Sequence, residues 1–135
     1  MKNEYVLYSF QLCKHRYSAP CAQSVNKKGF VHTYDWTKNE RASTIEDLIE
    51  IGTKEKKAVL EADFIVVLLP AGKGSHIEFG MALSQGMPIY LYSPNDDINN
   101  IATTSTFYHL SNVERYVGTI DMLVEKITKS ELNRI

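Results

Sequence analysis

The stretch that decides the fold is Asp63-Phe-Ile-Val-Val-Leu-Leu69, in which no polar residue follows the aspartate. A strand that is apolar on both faces is typical of the centre of a parallel sheet that helices cover on each side. A glycine-rich loop over residues 70–75 comes next, and Ser75 is predicted to cap a helix from Ile77 to Gln85 that Gly86 ends. The segment therefore predicts a strand–loop–helix unit within a parallel sheet.

Strands and helices alternate on both sides of this unit. Further strands are predicted over Tyr5–Phe10, Phe30–Trp36, Pro88–Tyr92 and Phe107–Leu110. Further helices are predicted over Ala19–Lys28, over residues 45–62 behind a Ser43 or Thr44 cap, and over Thr119–Lys129. The alternation predicts one α/β domain over residues 1–135: an open parallel sheet of about five strands, flavodoxin-like, with helices on both faces.

The predicted helix over residues 45–62 carries two signals about its packing. Ile45, Leu48 and Ile49, and then Ala58, Val59 and Ala62, lie on one apolar helical period. Gly52 lies inside the helix and predicts a bend or a break there.

Ligands of an open parallel sheet bind outside the carboxyl ends of its strands, where the strand order reverses. Four predicted loops meet at that edge, over residues 10–18, 34–42, 70–78 and 93–106. Side chains in these loops are therefore the candidates for function.

Composition and charge argue against several classes of partner. The net charge is -1 and no basic stripe is present, so we expect no nucleic acid polymer as partner. Cys13 and Cys21 fit no zinc pattern and no disulfide framework, and free thiols suit a reducing compartment. Neither a long apolar leader nor a membrane span is evident, so we expect a cytoplasmic protein with no membrane partner.

The stretch Gly74-Ser-His-Ile-Glu-Phe-Gly80 holds the strongest candidate for chemistry. Its glycines let the backbone approach a ligand closely, and the first helical turn offers N–H groups. The stretch has neither the spacing of a Walker A loop nor that of a dinucleotide fingerprint. Glu78 lies one turn into the predicted helix, at the end that faces the cleft. On spacing alone, it is either a catalytic carboxylate or one that stabilises the helix dipole.

Other polar and aromatic residues also have both a functional and a structural interpretation. Glu55 is a second carboxylate near the strand ends or a solvated helix residue. Trp36 stacks on a base or belongs to the half-buried core, and Asp35 binds ribose hydroxyls or forms a turn. Arg16 and its basic neighbours meet a 5′-phosphate or form a solvated loop. His76 contacts the leaving base or caps its turn.

Several features, taken in order, resemble the nucleoside 2-deoxyribosyltransferases and the related deoxynucleoside 5′-monophosphate N-glycosidases. They are Tyr8-Ser9-Phe10 and Tyr34-Asp35-Trp36 at two strand ends, Glu55 ahead of the pair Ala62-Asp63, the Gly74–Gly80 stretch, and the turn Gly86-Met87-Pro88. Together they cover most of the chain, and the Gly74–Gly80 stretch is the most specific of them. The chain therefore resembles this superfamily.

The resemblance implies roles for particular residues. Glu78 takes the position of the nucleophile, and Glu55 takes that of the acid/base carboxylate. Substrate contacts are expected from Ser9, Phe10, Arg16, Asp35, Trp36, Gly72, Gly74, Ser75 and His76. The implied reaction cleaves or transfers the N-glycosidic bond of a nucleoside or nucleoside 5′-monophosphate through a glycosyl-enzyme on Glu78. One carboxylate can bond to an oxocarbenium-like sugar while a second carboxyl group moves the proton.

Two positions depart from the superfamily's pattern. Glu55 stands where an aspartate is usual, and Gly72 stands where the transferases carry an aspartate that helps to read the base. The nucleotide hydrolases lack that second aspartate too. Because Arg16 also brings positive charge to the first loop, we expect a nucleotide to be preferred over the free nucleoside.

The resemblance implies no metal and no cofactor. It implies a homodimer or higher homo-oligomer, in which Asn95–Ser105 completes the active site of a neighbouring subunit. Two other functions stay open from the sequence. One is a TIR-like NAD glycohydrolase, which also uses a glutamate in a small parallel sheet, and the other is a non-catalytic nucleotide-binding module on the same fold.

Overall fold

Five strands and four α-helices occur along residues 9–13, 18–34 and 41–134, the part of the chain that the computed structural model describes. The strands are β1 (Ser9–Leu12), β2 (Val31–His32), β3 (Phe64–Leu68), β4 (Ile89–Ser93) and β5 (Val113–Val117). The α-helices are α1 (Ser18–Lys27), α2 (Ile45–Glu61), α3 (Lys73–Ser84) and α4 (Ile120–Leu132). No helix in this part of the chain has the length and apolar character needed to cross a membrane.

All neighbouring strands pair in parallel, and their order is β2-β1-β3-β4-β5. This is the flavodoxin-like order, so the predicted fold is confirmed. The chain moves outward from β1 to β2, returns past β1 to β3, and continues to β4 and β5. The direction therefore reverses between β1 and β3, and in open parallel sheets the ligand crevice lies at such a reversal, outside the carboxyl ends of the strands.

Buried side chains cover both faces of the sheet. On one face, Leu12 and Val66 belong to a core that includes residues of α1 and α4. On the other face, Val67 belongs to a core that includes residues of α2 and α3. Every residue of β3 is buried, because this strand has a neighbour on each side and helices above and below. That position explains its unbroken apolar sequence.

The first strand ends later than predicted. The prediction stops at Phe10, but β1 continues to Leu12, and the backbone N–H of Cys13 still donates to the carbonyl of Val66 at 3.0 Å. The predicted loop over residues 10–18 is therefore wrong at its beginning. The prediction took the polar Gln11 as a loop residue, whereas Gln11 is buried within the strand.

The second strand is shorter than the predicted Phe30–Trp36, because only Val31–His32 pair with β1. The backbone N–H of Thr33 still donates to the carbonyl of Phe10 in β1 at 2.9 Å. The rest of the predicted segment, residues 35 and 36, lies outside the described residues.

The long helix α2 starts where the sequence predicts but packs differently. Thr44 caps it, with its hydroxyl accepting the backbone N–H of Asp47 at 3.1 Å. The helix does not break at Gly52, the second of the two predicted alternatives, because it is continuous from Ile45 to Glu61. A single glycine costs a helix only about 1 kcal/mol, which the remaining hydrogen bonds and packing outweigh.

The apolar helical period of α2 is buried only in its second half. The side chains of Ile45, Leu48 and Ile49 are 66%, 55% and 63% exposed. Only the later residues Ala58 and Val59 are buried, because the second half of the helix is the part that lies on the sheet. Helical periodicity predicts which residues share a face, but not how far along that face the sheet extends.

The last strand lies elsewhere than predicted. The predicted strand Phe107–Leu110 falls on a short 3-10 helix, Thr106–His109, and β5 forms at Val113–Val117 instead. Only Val113 of β5 is buried, since this strand is at the edge of the sheet and its other residues alternate between partly and fully exposed positions. An edge strand of this kind has too weak an apolar pattern to stand out in the sequence.

Candidate active site

The loop from β3 into α3 forms one wall of the crevice. The helix begins at Lys73, with Gly72 as its N-terminal cap residue, so the predicted cap at Ser75 is wrong. Ser75 is instead buried in the first turn, and Gly86 ends the helical segment with a φ of +66°, as predicted. A Cβ added at Gly72 or Gly74 would meet nothing within 4 Å. The start of α3 therefore faces open space, where its backbone can approach a ligand.

Glu78 lies on the second turn of α3 and is half-buried. Burial raises the pKa of its carboxyl group, a hydrogen bond from the Cys13 thiol lowers it, and the negative charge of Glu55 raises it. The net result is a pKa above the usual value for glutamate. A carboxylate at this position has lost part of its water and depends on a small number of protein groups for its charge state.

Glu55 lies on α2, where its charge acts on Glu78. Its side chain is half-buried, and its charge raises the pKa of both Glu78 and Cys13. The structure thus brings the two glutamates within electrostatic reach of each other, although they are far apart in the sequence. The two glutamates come near each other because α2 and α3 pack side by side on one face of the sheet.

Cys13 is the residue of this group that sequence reasoning missed. It follows the last residue of β1, is 1% exposed, and belongs to the core cluster that also holds Val59 of α2 and Phe79 of α3. Burial raises the pKa of its thiol well above the usual value, and the nearby carboxylate of Glu78 adds to that effect. The thiol is therefore neutral and acts as a hydrogen-bond donor. Correct placement of the end of β1 would have identified it.

The buried side-chain amide of Gln11 fixes the chain just after β2. The side-chain oxygen of Gln11 accepts the Thr33 hydroxyl at 2.6 Å and the backbone N–H of Tyr34 at 3.1 Å. Its side-chain nitrogen donates to the carbonyl of Tyr34 at 3.1 Å. The Thr33 hydroxyl also lies 3.0 Å from the carbonyl of Ala58 in α2, so its one hydrogen is shared between the two acceptors. These bonds fix where the chain leaves β2 and satisfy a polar side chain that is 1% exposed.

His76 belongs to the other flank of α3. Its Nδ1 lies 2.8 Å from the carbonyl of Gly72, and its Nε2 is hydrogen-bonded to the hydroxyl of Tyr108. Because a carbonyl only accepts, Nδ1 carries a proton. A cavity of about 400 Å³ lies here, at the carboxyl ends of β3 and β4, and is lined by His76 and Tyr108 together with Asn95 and Asp97. Glu78 does not line it, since side chains two positions apart on a helix point to nearly opposite sides.

The predicted site residues fall into three groups. Gly72, Gly74, Ser75, His76 and Glu78 follow the carboxyl end of β3, at the start of α3, and Glu55 lies on α2, where its charge raises the pKa of Glu78. Ser9 and Phe10 lie instead at the amino end of β1, where Ser9 binds the carboxylate of Asp63 and Phe10 is fully buried against Phe64. Their predicted substrate contacts are therefore not supported, because the strand runs two residues further than predicted. Arg16, Asp35 and Trp36 lie outside the described residues.

Two carboxyl groups and a thiol donor at a crevice can stabilise a developing positive charge and move a proton. Within residues 9–13, 18–34 and 41–134, no group of three or more His, Cys, Asp or Glu side chains is arranged to hold a metal ion.

Two solved structures are similar to this chain. The CMP N-glycosidase BcmB of Clostridium botulinum matches with a TM-score of 0.58 at 15% sequence identity, covering 88% of this chain and 97% of that one. A conserved protein from Enterococcus faecalis V583 matches with a TM-score of 0.59 at 16% identity, covering 93% and 99%. No protein-family model matches the sequence, and no curated protein sequence does. At this identity the likeness establishes the fold, and at that level the predicted resemblance is confirmed.

Proposed function

We propose that this protein cleaves or transfers the N-glycosidic bond of a nucleoside 5′-monophosphate, with Glu78 as the nucleophile and Glu55 as the acid/base. The observation that carries the proposal is the pair of half-buried glutamates at the switch-point crevice, where the charge of Glu55 raises the pKa of Glu78. The fold shared with a CMP N-glycosidase supports the same assignment.

The proposed chemistry uses the two carboxyl groups in turn. The ionised Glu78 attacks the anomeric carbon of the sugar, the bond from that carbon to the base nitrogen breaks, and its electron pair leaves with the base. Glu55 in its protonated form gives the departing nitrogen a proton. Glu55 then accepts a proton from water, whose oxygen attacks the same carbon and releases Glu78, or, in a transfer, from the ring nitrogen of a second base that attacks there instead.

The interaction between the two carboxyl groups is compatible with Glu78 as the nucleophile and Glu55 as the proton carrier. Two carboxylates that interact cannot both ionise easily, so over part of the pH range one of them carries a proton while the other is charged. The thiol of Cys13 donates to Glu78, which favours the charged form of that member of the pair. A contribution that favours the charged form of Glu78 is what the proposed role of Glu78 as the nucleophile requires.

The start of α3 supports a phosphorylated substrate. Gly72 has no side chain to cap the helix, and the space in front of Gly72 and Gly74 is open. Backbone N–H groups of a first helical turn favour an anion. The predicted phosphate partner Arg16 lies outside the described residues, so its contribution stays a prediction.

The deciding experiment is to incubate the protein with nucleosides, their 5′-monophosphates and NAD, and to measure the free base by chromatography. We expect base release from a monophosphate, and Glu78→Gln should abolish it because an amide keeps the shape but cannot attack. Glu125→Gln, an exposed carboxylate on α4, is the control and should retain activity. Full activity in Glu78→Gln would reject the nucleophile, and release of nicotinamide alone would point to the NAD glycohydrolase.

We also propose that the protein forms a homo-oligomer in which residues 95–105 contribute to a neighbouring crevice, as the resemblance implies. The exposed Ile45, Leu48 and Ile49 of α2 support self-association, because exposed apolar side chains that lie together commonly mark an interface.

A further inference from the structure

The cavity of about 400 Å³ at the carboxyl ends of β3 and β4 has no part in the proposed chemistry. Its walls come from the loop after β3, from the loop after β4, and from His76 on α3. Glu78 does not line it, because side chains two positions apart on a helix point to nearly opposite sides. Small-molecule pockets have volumes of about 300–1,000 Å³, so the cavity has room for one small ligand beside the crevice of Glu78.

The lining of the cavity suits a flat ring. Its apolar side chains are Leu69, Pro70 and Ala71 after β3, and Pro94 and Ile98 after β4. The rings of His76 and Tyr108 add an aromatic surface, with centroids 6.0 Å apart and planes 28° apart. A heterocycle has apolar faces and a polar edge, and apolar walls with a few polar groups are typical of sites that bind such a ligand.

The polar groups of the pair His76 and Tyr108 accept hydrogen bonds rather than donate them. Nδ1 of His76 donates to the carbonyl of Gly72 at 2.8 Å, so Nε2 of the neutral ring accepts the hydroxyl hydrogen of Tyr108. The hydroxyl oxygen of Tyr108 then has only lone pairs left for a further partner. A ligand at this edge of the cavity must therefore supply hydrogen-bond donors.

Asp97 adds a carboxylate to these acceptors. The backbone that carries it is held in place, because the Ser93 hydroxyl donates to the carbonyl of Asn95 at 2.6 Å and the Asn95 side chain accepts the backbone N–H of Asp97 at 3.0 Å. The next residue, Ile98, is buried in the core. Within the part of the chain that the structure describes, no hydrogen bond or ion pair engages the Asp97 carboxylate, which leaves it available to a ligand.

The charges around the cavity disfavour an anionic ligand. Asp97 is the only acidic residue among the described residues that line the cavity, and no lysine or arginine is among them. Gly72 and Gly74, whose open side supports a phosphate in the proposed function, do not line it either. The cavity therefore repels a phosphate and suits a neutral or cationic ligand.

We propose that this cavity is a second binding site, separate from the reaction centre at Glu78, for a flat heterocycle that carries amino N–H donors and no phosphate. The amino group donates to the Asp97 carboxylate, and the ring lies against the apolar walls. A free amino-bearing base and its nucleoside share this chemistry. The site does not depend on the proposed function, because Glu78 takes no part in it.

The test is an amide NMR titration of the labelled protein with adenine and with purine, which has the same rings but no amino group. We expect adenine to shift the signals of cavity residues such as Ala71 and Thr103. Purine should bind about tenfold more weakly, as expected for the loss of one hydrogen bond to a charged group. Shifts confined to residues around Glu55 and Glu78, or equal binding of the two ligands, would overturn the proposal.

Two exposed aspartates on one 3-10 helix supply a matched pair of variants. Asp97 lines the cavity, whereas Asp96 does not and accepts the side-chain N–H of Asn99 at 2.6 Å. Asp97→Asn should weaken the binding of adenine about fivefold, because a charge-assisted hydrogen bond becomes a neutral one. Asp96→Asn makes the same change of charge and should leave binding unchanged. Equal effects of the two variants would reject the site.

Adenosine and its 5′-monophosphate complete the test, and both are titrated into Glu78→Gln so that the proposed reaction cannot consume them. We expect the monophosphate to bind the cavity at least about tenfold more weakly than adenosine, and equal binding would reject the exclusion of anions. The tighter of adenine and adenosine identifies the ligand as a base or a nucleoside. All of these measurements record binding alone. A protein without activity would therefore refute only the proposed function, and a cavity that binds none of these ligands would refute only this proposal.

Discussion

Replacing Glu55 by glutamine tests the acid/base role with a change that keeps the shape of the side chain. The amide occupies the same half-buried position on α2 but has no charge and no transferable proton. A positioned general acid contributes about 10²–10⁴-fold to a rate. We therefore expect kcat/KM for an ordinary nucleotide to fall by that factor, which corresponds to about 2.7–5.4 kcal/mol in the barrier.

The same substitution should change the titration of Glu78. The negative charge of Glu55 raises the pKa of Glu78, so its removal should lower that pKa. The acid limb of kcat/KM reports ionisation of the nucleophile in the free enzyme, and we expect it to move to lower pH. The descending limb that reports deprotonation of Glu55 should disappear. A purely structural effect would lower the rate at every pH and leave both limbs in place.

The assay compares base release from an ordinary purine nucleotide and from its N7-methylated form across the pH range. The methylated base already carries a positive charge and leaves without protonation, so the loss in Glu55→Gln should nearly vanish with that substrate. The control is Glu50→Gln, because Glu50 is an exposed carboxylate on the same helix that pairs with Lys54 at 3.0 Å. Equal losses with both substrates, or an unmoved acid limb, would refute the reasoning.

Two further predictions concern stability and assembly. Burial raises the pKa of Glu78 above its unfolded value, so its stabilising contribution is complete at pH values below the unfolded pKa and is lost as pH rises through the folded pKa. Glu78→Gln should therefore gain in free energy of unfolding over the wild type as pH rises through that window, and urea titrations that show a pH-independent difference would contradict this. If exposed apolar side chains of α2 mediate self-association, Leu48→Lys should lower the sedimentation mass while Thr53→Lys on the same helix should not, and equal masses for all three proteins would count against the interface.

Local sequence signals predicted most elements of the fold, because the signals agree with the tertiary structure wherever an element is fully buried or capped. The apolar run of β3, the Thr44 cap of α2 and the Gly86 turn after α3 are examples. Prediction failed where the signal was weak or ambiguous. The polar Gln11 hides the true end of β1, since its amide is satisfied by residues more than twenty positions away. The edge strand β5 lacks a clear apolar pattern.

In the candidate site, too, the sequence predicted some features and missed others. The sequence by itself determined that Glu78 follows a glycine-rich loop at the carboxyl end of a buried strand, because loop and helix are contiguous with that strand. It also pointed to Glu55 through resemblance. Only the tertiary structure decided that Cys13 joins them and that Ser9 and Phe10 do not. The end of β1, α2 and α3 are distant in sequence, and these side chains come together only when the three elements pack against one another. Because β1 ends two residues later than predicted, a different side chain from this strand lies at the site.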